Sequence, residues 1–283
     1  MSRSVSVQYS KKLEYMTTSQ TQHGSPDPAS KPVIGVLLVH GFNGTQDDMI
    51  ELEQHLREHG MLAVNMLLPG HGMDHVRELM TLGWDDWAQA VSNELRVLKA
   101  RCDQVFLVGH SLGGALALHI AAHEDVAGIV VMCAPIYMHP LLKPFIGVAK
   151  FVVPLLPTIY EDVRDRDARR RYKRGTYHWT PVRPIESMLK FLPRLREELP
   201  QITAPALIMI ALHDHVVPAR DGHEIYRRIG SQEKYLVTFH RSYHIIMKDH
   251  DHEEVFSKTS AFIQRQAAKL KLHRQNSPAD QSA

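Results

Sequence analysis

Short apolar runs and longer segments with helical spacing follow one another along this chain. The runs Val33–Val39 and Val105–Val108 are continuous and bounded by turn-forming or polar residues, which predicts buried strands. In Trp84–Ala100 the apolar residues recur every three or four positions, which predicts a helix. The other predicted strands are Ala63–Leu68, Ala127–Met132, Ala206–Ala211 and Tyr235–Phe239, and the other predicted helices are Gln46–His59, Gly113–His123, Arg220–Arg228 and Glu253–Lys271.

This alternation of strands and helices predicts an α/β fold with a mostly parallel, doubly wound sheet covered by helices on both faces. The alternation stops between residues 134 and 205, where no strand is evident and several helical patches occur. We therefore expect one domain over residues 33–270, with a helical cap inserted at about 136–200. Residues 1–32 are predicted to be a flexible entry segment, and residues 271–283 a polar tail.

The segment Gly109–Gly114 matches the G-x-S-x-G pattern of a nucleophile elbow, and it lies between an apolar strand and an Ala/Leu-rich helix. On such a sharp turn the serine hydroxyl stands above the sheet, and only small residues fit two positions to either side. Gly109 and Gly113 meet this requirement. The helix that follows directs its N-terminal amides at the site, which favours developing negative charge. Ser111 is the candidate nucleophile, and the alternative is a glycine-rich turn with an incidental serine.

A serine nucleophile needs a base that is oriented by a third group, and in this fold an acid and then a histidine follow the serine along the chain. Asp214 comes after the predicted strand Ala206–Ala211, and His244 comes after Tyr235–Phe239. Both positions lie just beyond the carboxyl ends of strands, where open α/β sheets place their sites. We predict a triad of Ser111, Asp214 and His244, the alternative for Asp214 being a turn or helix-capping residue.

Three other histidines compete with His244 for the role of the base. His240 lies too close to the end of its predicted strand, while His250 and His252 flank Asp251 in what we expect to be a solvated helix start. The oxyanion hole of this fold uses the amide after the nucleophile and one from a loop after an earlier strand. These would be the amides of Leu112 and Phe42; the alternative for the Phe42 loop is a tight turn with a buried Phe.

Composition excludes several other classes of protein. The formal net charge of +2 gives no global electrostatic reason to bind nucleic acid. Two cysteines, Cys102 and Cys133, do not suffice for a disulfide framework or a cysteine metal site. Because the first residues hold no apolar core of a signal peptide, and the most apolar long stretch, Leu141–Pro157, is too short to span a bilayer, we expect a cytoplasmic soluble protein.

Several motifs together resemble the small bacterial carboxylesterases and monoacylglycerol lipases of the α/β-hydrolase superfamily. The resemblance covers roughly residues 33–264 and is carried by Val39–Phe42, Pro69–Gly72, Gly109–Gly114, Met132–Pro135, the His213–Asp214 turn and His244. It implies a cap over the active site, ester hydrolysis without metal or cofactor, and oxyanion amides from Phe42 and Leu112. The implied partner is a small-molecule ester. The apolar stretch Leu141–Pro157 allows transient contact with a lipid surface, and we expect no stable membrane insertion.

The chain departs from the family pattern at two places, and both concern substrate range. Tyr243 stands where the family often has Gly before the catalytic histidine, and the cap is longer and carries the basic stretch Arg164–Arg174. That stretch mixes both charge signs, so we interpret it as a solvated helix face, the alternative being an anion or partner site. Leu141–Pro157 fits an acyl-binding lid as well as plain cap core. The oligomeric state stays open.

Other functions and sites fit parts of the pattern. His55 and His59 form an H-x-x-E-H motif typical of zinc hydrolases, but we interpret it as a solvated face of a helix in the outer layer. A C–C bond hydrolase or an acyltransferase would use the same triad. Ser111 argues against the members of this fold that use an Asp nucleophile. A non-catalytic binding protein is the alternative of another class, although such proteins usually lack part of the triad.

Overall fold

The computed structural model describes residues 33–72, 77–137, 155–157, 162–171 and 179–275. Its strands are β1 (Ile34–Val39), β2 (Leu62–Met66), β3 (Gln104–His110), β4 (Gly128–Met132), β5 (Leu155–Pro157), β6 (Trp179–Pro181), β7 (Ala206–Ala211) and β8 (Lys234–Phe239). Its helices are α1 (Ile50–Glu58), α2 (Trp84–Lys99), α3 (Leu112–His123), α4 (Arg166–Arg171), α5 (Val182–Glu198), α6 (Ala219–Arg228) and α7 (His252–Gln275).

Six of these strands form one sheet in the order β2-β1-β3-β4-β7-β8, and every neighbouring pair is parallel. Every residue of β3 and β4 is buried, as expected for central strands whose two faces are both covered by helices. The predicted α/β fold and its six sheet strands are confirmed. Among these strands the largest differences in bounds are in β2, which ends at Met66 two residues before the predicted end at Leu68, and in β3, which ends at His110 two residues after the predicted end at Val108.

Alternate residues of each strand contribute to two apolar cores on opposite faces of the sheet. In β1, Leu37 and Val39 face one core, while Val36 and Leu38 face the other. The first core contains the fully buried Trp87 of α2 and side chains of α3 and α5; the second contains side chains of α1 and α7. These two layers hold the carboxyl ends of the strands in fixed positions.

The region predicted to be a purely helical cap contains an antiparallel pair of strands, β5 and β6. The expectation of no strand between residues 134 and 205 was therefore wrong. Each strand has three residues and ends in Pro, and a segment so short shows no apolar alternation from which it could be predicted. Helix α5 packs into the first core rather than forming a separate cap layer, because its Phe191 and Leu195 are completely buried in that core.

The remaining expectations on domain boundaries fall partly outside the described residues. Residues 1–32 and 276–283 lie outside them, as does most of Leu141–Pro157. Helix α7 continues to Gln275, beyond the predicted helix end at Lys271, and so includes the first residues of the segment predicted to be a polar tail. Of the basic stretch Arg164–Arg174, residues 172–174 lie outside the described ranges; the rest contains the short helix α4, in which no residue is buried, as expected of a solvated helix. No helix in the described ranges is long and apolar enough to cross a membrane.

Candidate functional site

Ser111 lies in the turn between β3 and α3 with backbone angles that non-glycine residues rarely adopt. Its φ is 51° and its ψ is −119°, and its amide donates to the Met132 carbonyl at 2.9 Å. A Cβ atom on Gly109 would lie 2.2 Å from the Gly113 carbonyl oxygen, and a Cβ on Gly113 would lie 2.1 Å from the Val39 carbonyl oxygen. Only glycine fits at either position, as the sequence pattern required, and this packing holds Ser111 in its strained conformation.

The loop after β1 runs beside Ser111. A Cβ on Gly41 would lie 3.1 Å from the Cβ of Ser111, so the Gly41–Gly44 turn borders the nucleophile directly. Phe42 in this turn packs its ring against His71 and Trp87, with centroids 6.0 Å and 5.8 Å away. The aromatic packing orients the loop that carries the Phe42 amide. The loop and the start of α3 are thus adjacent, while the oxyanion roles of Phe42 and Leu112 stay predictions.

Asp214 and His244 are joined by a hydrogen bond. His244 donates from Nδ1 to Oδ2 of Asp214 at 2.7 Å. The other carboxylate oxygen, Oδ1, accepts from the amides of Val216 at 2.7 Å and Val217 at 2.9 Å. Burial opposes the charge of this carboxylate, but His244 and the two amides outweigh burial and hold the pKa of Asp214 below its ordinary value. Asp214 is therefore ionised and fixed in orientation.

The surroundings of His244 favour the charged form of its ring. Burial alone would lower its pKa, but the charge and the hydrogen bond of Asp214 raise the pKa above the ordinary value of 6.5. The carboxylates of Asp162 and Asp48 act in the same direction. Because Nδ1 is bonded to Asp214, Nε2 is the ring nitrogen left for proton transfer. The arrangement can accept one proton and stabilise the resulting imidazolium.

Two buried histidines on the motifs have structural roles that the sequence analysis missed. His110, beside the nucleophile, donates from Nε2 to the His244 carbonyl at 3.0 Å, and burial with the nearby His244 lowers its pKa to about 3. Neutral His110 therefore links the elbow to the His244 loop. His40 donates from Nδ1 to the Gly41 carbonyl and accepts from the Leu68 amide at Nε2. Both histidines lie inside motifs shared with the family, His40 in Val39–Phe42 and His110 in Gly109–Gly114. This position was the signal from which their roles could have been predicted.

The three competing histidines differ from His244 in burial, and the histidine bonded to Asp214 is His244. His240, His250 and His252 are all exposed, whereas His244 is buried. The expected helix start is confirmed, because α7 begins at His252 and both flanking histidines are exposed. Its solvation was wrong for Asp251, which is buried and accepts from the Ser242 hydroxyl at 2.7 Å and from the Arg241 side chain at 2.8 Å. Asp251 is buried although its neighbours in the sequence are polar, because its carboxylate bonds polar groups of the preceding loop.

Two groups of side chains within the described ranges bring together atoms that could hold a metal ion. In one, donor atoms of Cys133, Asp214 and His244 lie within 4.8 Å of one another. The Cys133 thiol is buried, and burial followed by the Asp214 charge raises its pKa well above the ordinary value, so it is a thiol beside the candidate acid. Cys133 was not predicted as a neighbour of the site. A thiol that stays protonated is a poor metal ligand.

The other group consists of His119 and His123 on α3 with Glu198 at the end of α5. Glu198 accepts from His119 Nδ1 at 2.7 Å, from His123 Nε2 at 3.1 Å and from Arg194 Nε at 2.7 Å. These bonds occupy both carboxylate oxygens, and the Arg194 charge opposes a cation at the same place. The cluster is therefore a bridge between α3 and α5.

The H-x-x-E-H motif on α1 is only partly a solvated face. His55 is half-buried, and its Nε2 bonds the Ser260 hydroxyl on α7 at 3.0 Å. His59 is exposed, as expected. The interpretation as a solvated face was wrong for His55, because α7 covers the side of α1 that carries this ring.

The fold, the elbow and the Asp214–His244 pair now allow comparison with known proteins. The family model Hydrolase_4, described as serine aminopeptidase, S33, matches residues 30–251. The chain belongs to the Hydrolase_4 family. A thermostable monoacylglycerol lipase of Bacillus sp. (strain H-257) is 30% identical to it over 243 residues, which cover 86% of this chain and 95% of the lipase. A carboxylesterase of Bacillus subtilis (strain 168) is 26% identical, with coverages of 81% and 92%.

Solved structures agree with this membership in the Hydrolase_4 family. A structure described under LipS and LipT, two metagenome-derived lipolytic enzymes, superposes with a TM-score of 0.77 at 32% identity, covering 83% of this chain and 96% of the other. A monoacylglycerol lipase from Paleococcus ferrophilus has a TM-score of 0.71 at 20% identity, with coverages of 82% and 94%, and shows the fold alone. This Hydrolase_4 chain is a serine hydrolase with the α/β-hydrolase fold, and its resemblance to lipases and esterases is confirmed.

Proposed function

We propose that this protein is a serine carboxylic-ester hydrolase that acts on short- to medium-chain acyl esters or monoacylglycerols through an acyl-enzyme intermediate. The observation that carries the proposal is the 2.7 Å bond between His244 and Asp214, next to a strained Ser111 elbow. The names of the relatives, monoacylglycerol lipase and carboxylesterase, support an ester as the substrate. The proposed catalytic residues are Ser111, Asp214 and His244.

In the first step Ser111 attacks the ester carbonyl while His244 removes the hydroxyl proton at Nε2. Asp214 holds the ring in the tautomer that leaves Nε2 unprotonated, and its negative charge stabilises the imidazolium that forms. The amides of Phe42 and Leu112 are the proposed donors to the oxyanion. His244 then protonates the leaving alcohol, and the acyl group remains on Ser111. Water attacks the acyl-enzyme with the same assistance and releases the acid.

The electrostatic setting suits this sequence of proton transfers. The pKa of His244 lies above its ordinary value, so the imidazolium formed during attack is favoured, while the pKa of Asp214 lies below its ordinary value. Because the two pKa values are shifted in opposite directions, Asp214 stays ionised while His244 accepts and returns the proton. A cytoplasmic location, transient contact with lipid surfaces and the absence of nucleic-acid binding also stay predictions.

The test is hydrolysis of p-nitrophenyl esters from acetate to palmitate by the wild type and by Ser111→Ala in parallel. We expect hydrolysis by the wild type with an optimum at short to medium chains and its loss in the variant. A monoacylglycerol series with matched chains then distinguishes a lipase from a carboxylesterase. If the folded wild type hydrolysed none of these esters, the ester-hydrolase proposal would be wrong, and a C–C bond hydrolase, an acyltransferase or a binding protein would take its place.

A further inference from the structure

Asp249 is a completely buried carboxylate that accepts four main-chain hydrogen bonds from two separate segments. We propose that Asp249 is a positioning residue that couples the cap segment 162–165 to the loop of His244, so that the placement of the cap controls the placement of the base. The effect of this coupling on catalysis rests on the proposed function. The coupling itself concerns only the two segments and can be tested without activity.

Both oxygens of Asp249 accept from the cap segment; Oδ2 also accepts from the residue before His244, and Oδ1 from the residue that follows Asp249. Oδ2 accepts from the Arg164 amide at 2.7 Å and from the Tyr243 amide at 2.8 Å. Oδ1 accepts from the Asp165 amide at 2.9 Å and from the His250 amide at 2.8 Å. Because every donor is a main-chain N–H, the carboxylate fixes the path of the backbone and leaves the side chains of the donors free for other contacts.

The two segments also bond each other next to the candidate base. The Ile245 amide donates to the Asp162 carbonyl at 2.9 Å, and the Arg164 guanidinium lies 5.7 Å from the centre of the Tyr243 ring. Tyr243 and Ile245 are the residues on either side of His244. A displacement of residues 162–165 would therefore pull on the backbone at both sides of the imidazole, and an error of about 1 Å in a reacting group lowers turnover by about 100-fold.

Asparagine cannot replace Asp249 in this arrangement. A carboxylate offers two acceptor oxygens, whereas an amide offers one acceptor and two N–H donors. Whichever way the side chain of Asp249→Asn turned, its NH₂ group would face one donor from the cap segment and one from the His244 loop. The variant would thus lose one bond to each segment and set N–H groups against each other.

A second buried carboxylate offers a matched control. Asp221 is also completely buried, and its Oδ2 accepts from the amides of Ile136 and Tyr137, both at 3.0 Å, where the chain leaves β4. Asp221 therefore holds another part of the 136–200 region but makes no described bond to residues 241–250. Asp221→Asn makes the same substitution at another buried carboxylate and leaves the described bonds of the His244 loop untouched.

The readout that separates positioning from mere stability is the titration of His244. Groups from five elements face this ring: Asp214 after β7, His110 in β3, Cys133 after β4, Asp48 in the turn after β1, and Asp162 in the cap segment. Asp162 moves with residues 162–165. If Asp249→Asn releases that segment, the Asp162 charge withdraws, the pKa of His244 falls, and the acid limb of the kcat/KM profile moves to lower pH.

The experiment measures kcat, KM and the pH profile on p-nitrophenyl butyrate for the wild type, Asp249→Asn and Asp221→Asn, with thermal melting to check folding. We expect Asp249→Asn to lose about 10- to 100-fold in kcat with a smaller change in KM and an acid limb at lower pH. Asp221→Asn should keep the acid limb of the wild type. Equal pH profiles for wild type and Asp249→Asn, or the same shift in both variants, would overturn the proposal.

Two further measurements keep the proposal testable if activity or folding fails. NMR titration of the His244 ring reports its pKa directly, so it distinguishes a wrong coupling from a wrong substrate if the wild type hydrolyses no ester. If Asp249→Asn does not fold, Arg164→Pro is the alternative: it removes one cap-side amide donor, together with the guanidinium contacts of Arg164 to Tyr243 and Arg241, and keeps the Asp249 bonds to Tyr243 and His250. Arg164→Ala, which loses only the guanidinium, is its control. We expect the same direction of shift in Arg164→Pro, and an unchanged His244 titration in that variant would contradict the coupling.

Discussion

The carboxyl edge of the main sheet and the segments of the 136–200 region are held by different kinds of contact. At the sheet edge, parallel strands and close backbone packing fix the chain: a Cβ on Gly113 would lie 2.1 Å from the Val39 carbonyl oxygen. Segments 136–137 and 162–165 are attached in part through buried carboxylates, Asp221 and Asp249, which receive their main-chain amides, and in part through the buried side chains of Ile136 and Val163. Glu198 provides a comparable bridge between α5 and α3.

This difference distinguishes the residues that perform the chemistry from those that control the access of substrate to the site and the position of the catalytic side chains. Backbone packing leaves the nucleophile one conformation, as the positive φ of Ser111 requires. A segment held by a few polar bonds and a single buried side chain can change its position at a smaller energetic cost than the tightly packed sheet edge. Substitutions at the sheet edge should therefore act on turnover, and substitutions at the attachments should act on stability, pH dependence and substrate range.

The largest effect is expected from Ser111→Ala. Removal of the nucleophile should lower kcat by about 10⁶-fold, by analogy with serine proteases, while the fold and its melting temperature are retained. The measurement is steady-state hydrolysis of p-nitrophenyl butyrate together with circular dichroism. Retention of more than about a hundredth of the wild-type rate would remove Ser111 from the mechanism.

Asp214→Asn should have the next largest effect, a loss of about 10⁴-fold in kcat. The amide keeps the shape of the carboxylate and the Val216 and Val217 contacts, but it no longer holds His244 in the tautomer needed for proton transfer. The same ester assay measures the loss. A variant with near-full activity would show that another residue is the acid.

Glu198→Gln should change stability rather than turnover. Loss of the charge weakens the bonds to His119, His123 and Arg194, at a cost of about 1–3 kcal/mol in the free energy of unfolding. Burial would raise the pKa of Glu198, but its three partners outweigh burial and hold the pKa below the ordinary value of 4.5. The contribution of the Glu198 carboxylate to folding stability is therefore fully present above pH 4.5 and is lost as the pH falls through the pKa of the folded state.

Urea denaturation of wild type and Glu198→Gln at pH 7 and at pH values below the ordinary pKa of Glu measures this contribution. Exposed Glu254, which pairs with Lys258 one turn away, offers the control variant Glu254→Gln. The stability difference for Glu198→Gln should shrink on acidification, and that for Glu254→Gln should be small throughout. A difference that grew as the pH fell would contradict the assignment.

The smallest effect is expected from Asp162→Asn. Its carboxylate helps to raise the pKa of His244, so its neutralisation should move the acid limb of kcat/KM to lower pH by less than about one unit. In the wild type that limb should lie above the ordinary His pKa of 6.5. The exposed Asp167 on α4 provides the control Asp167→Asn, for which we expect no shift. A shift of the acid limb to higher pH in Asp162→Asn would mean that Asp162 lowers the pKa of His244, which would contradict the account.

The sheet and the elbow could be predicted from the sequence because their signals are local. A strand, a glycine-flanked serine and a helix lie within one short segment, and the spacing of Asp214 and His244 after strands follows from the parallel fold. The roles of Asp249 and Asp251 could not be predicted, because their partners at Arg164 and Ser242 meet them only through folding. The strands β5 and β6 are too short to show a pattern, and His55 became half-buried through α7, a partner remote in the chain.

The central claim is that Ser111 is a nucleophile activated by His244 and Asp214. The most direct measurement is treatment of the wild type with a fluorophosphonate, followed by intact mass and peptide mapping, with Ser111→Ala and Asp214→Asn in parallel. The account predicts one covalent adduct, located on Ser111, slower labelling in Asp214→Asn and none in Ser111→Ala. Equal labelling of all three proteins, or an adduct on a different residue, would contradict it.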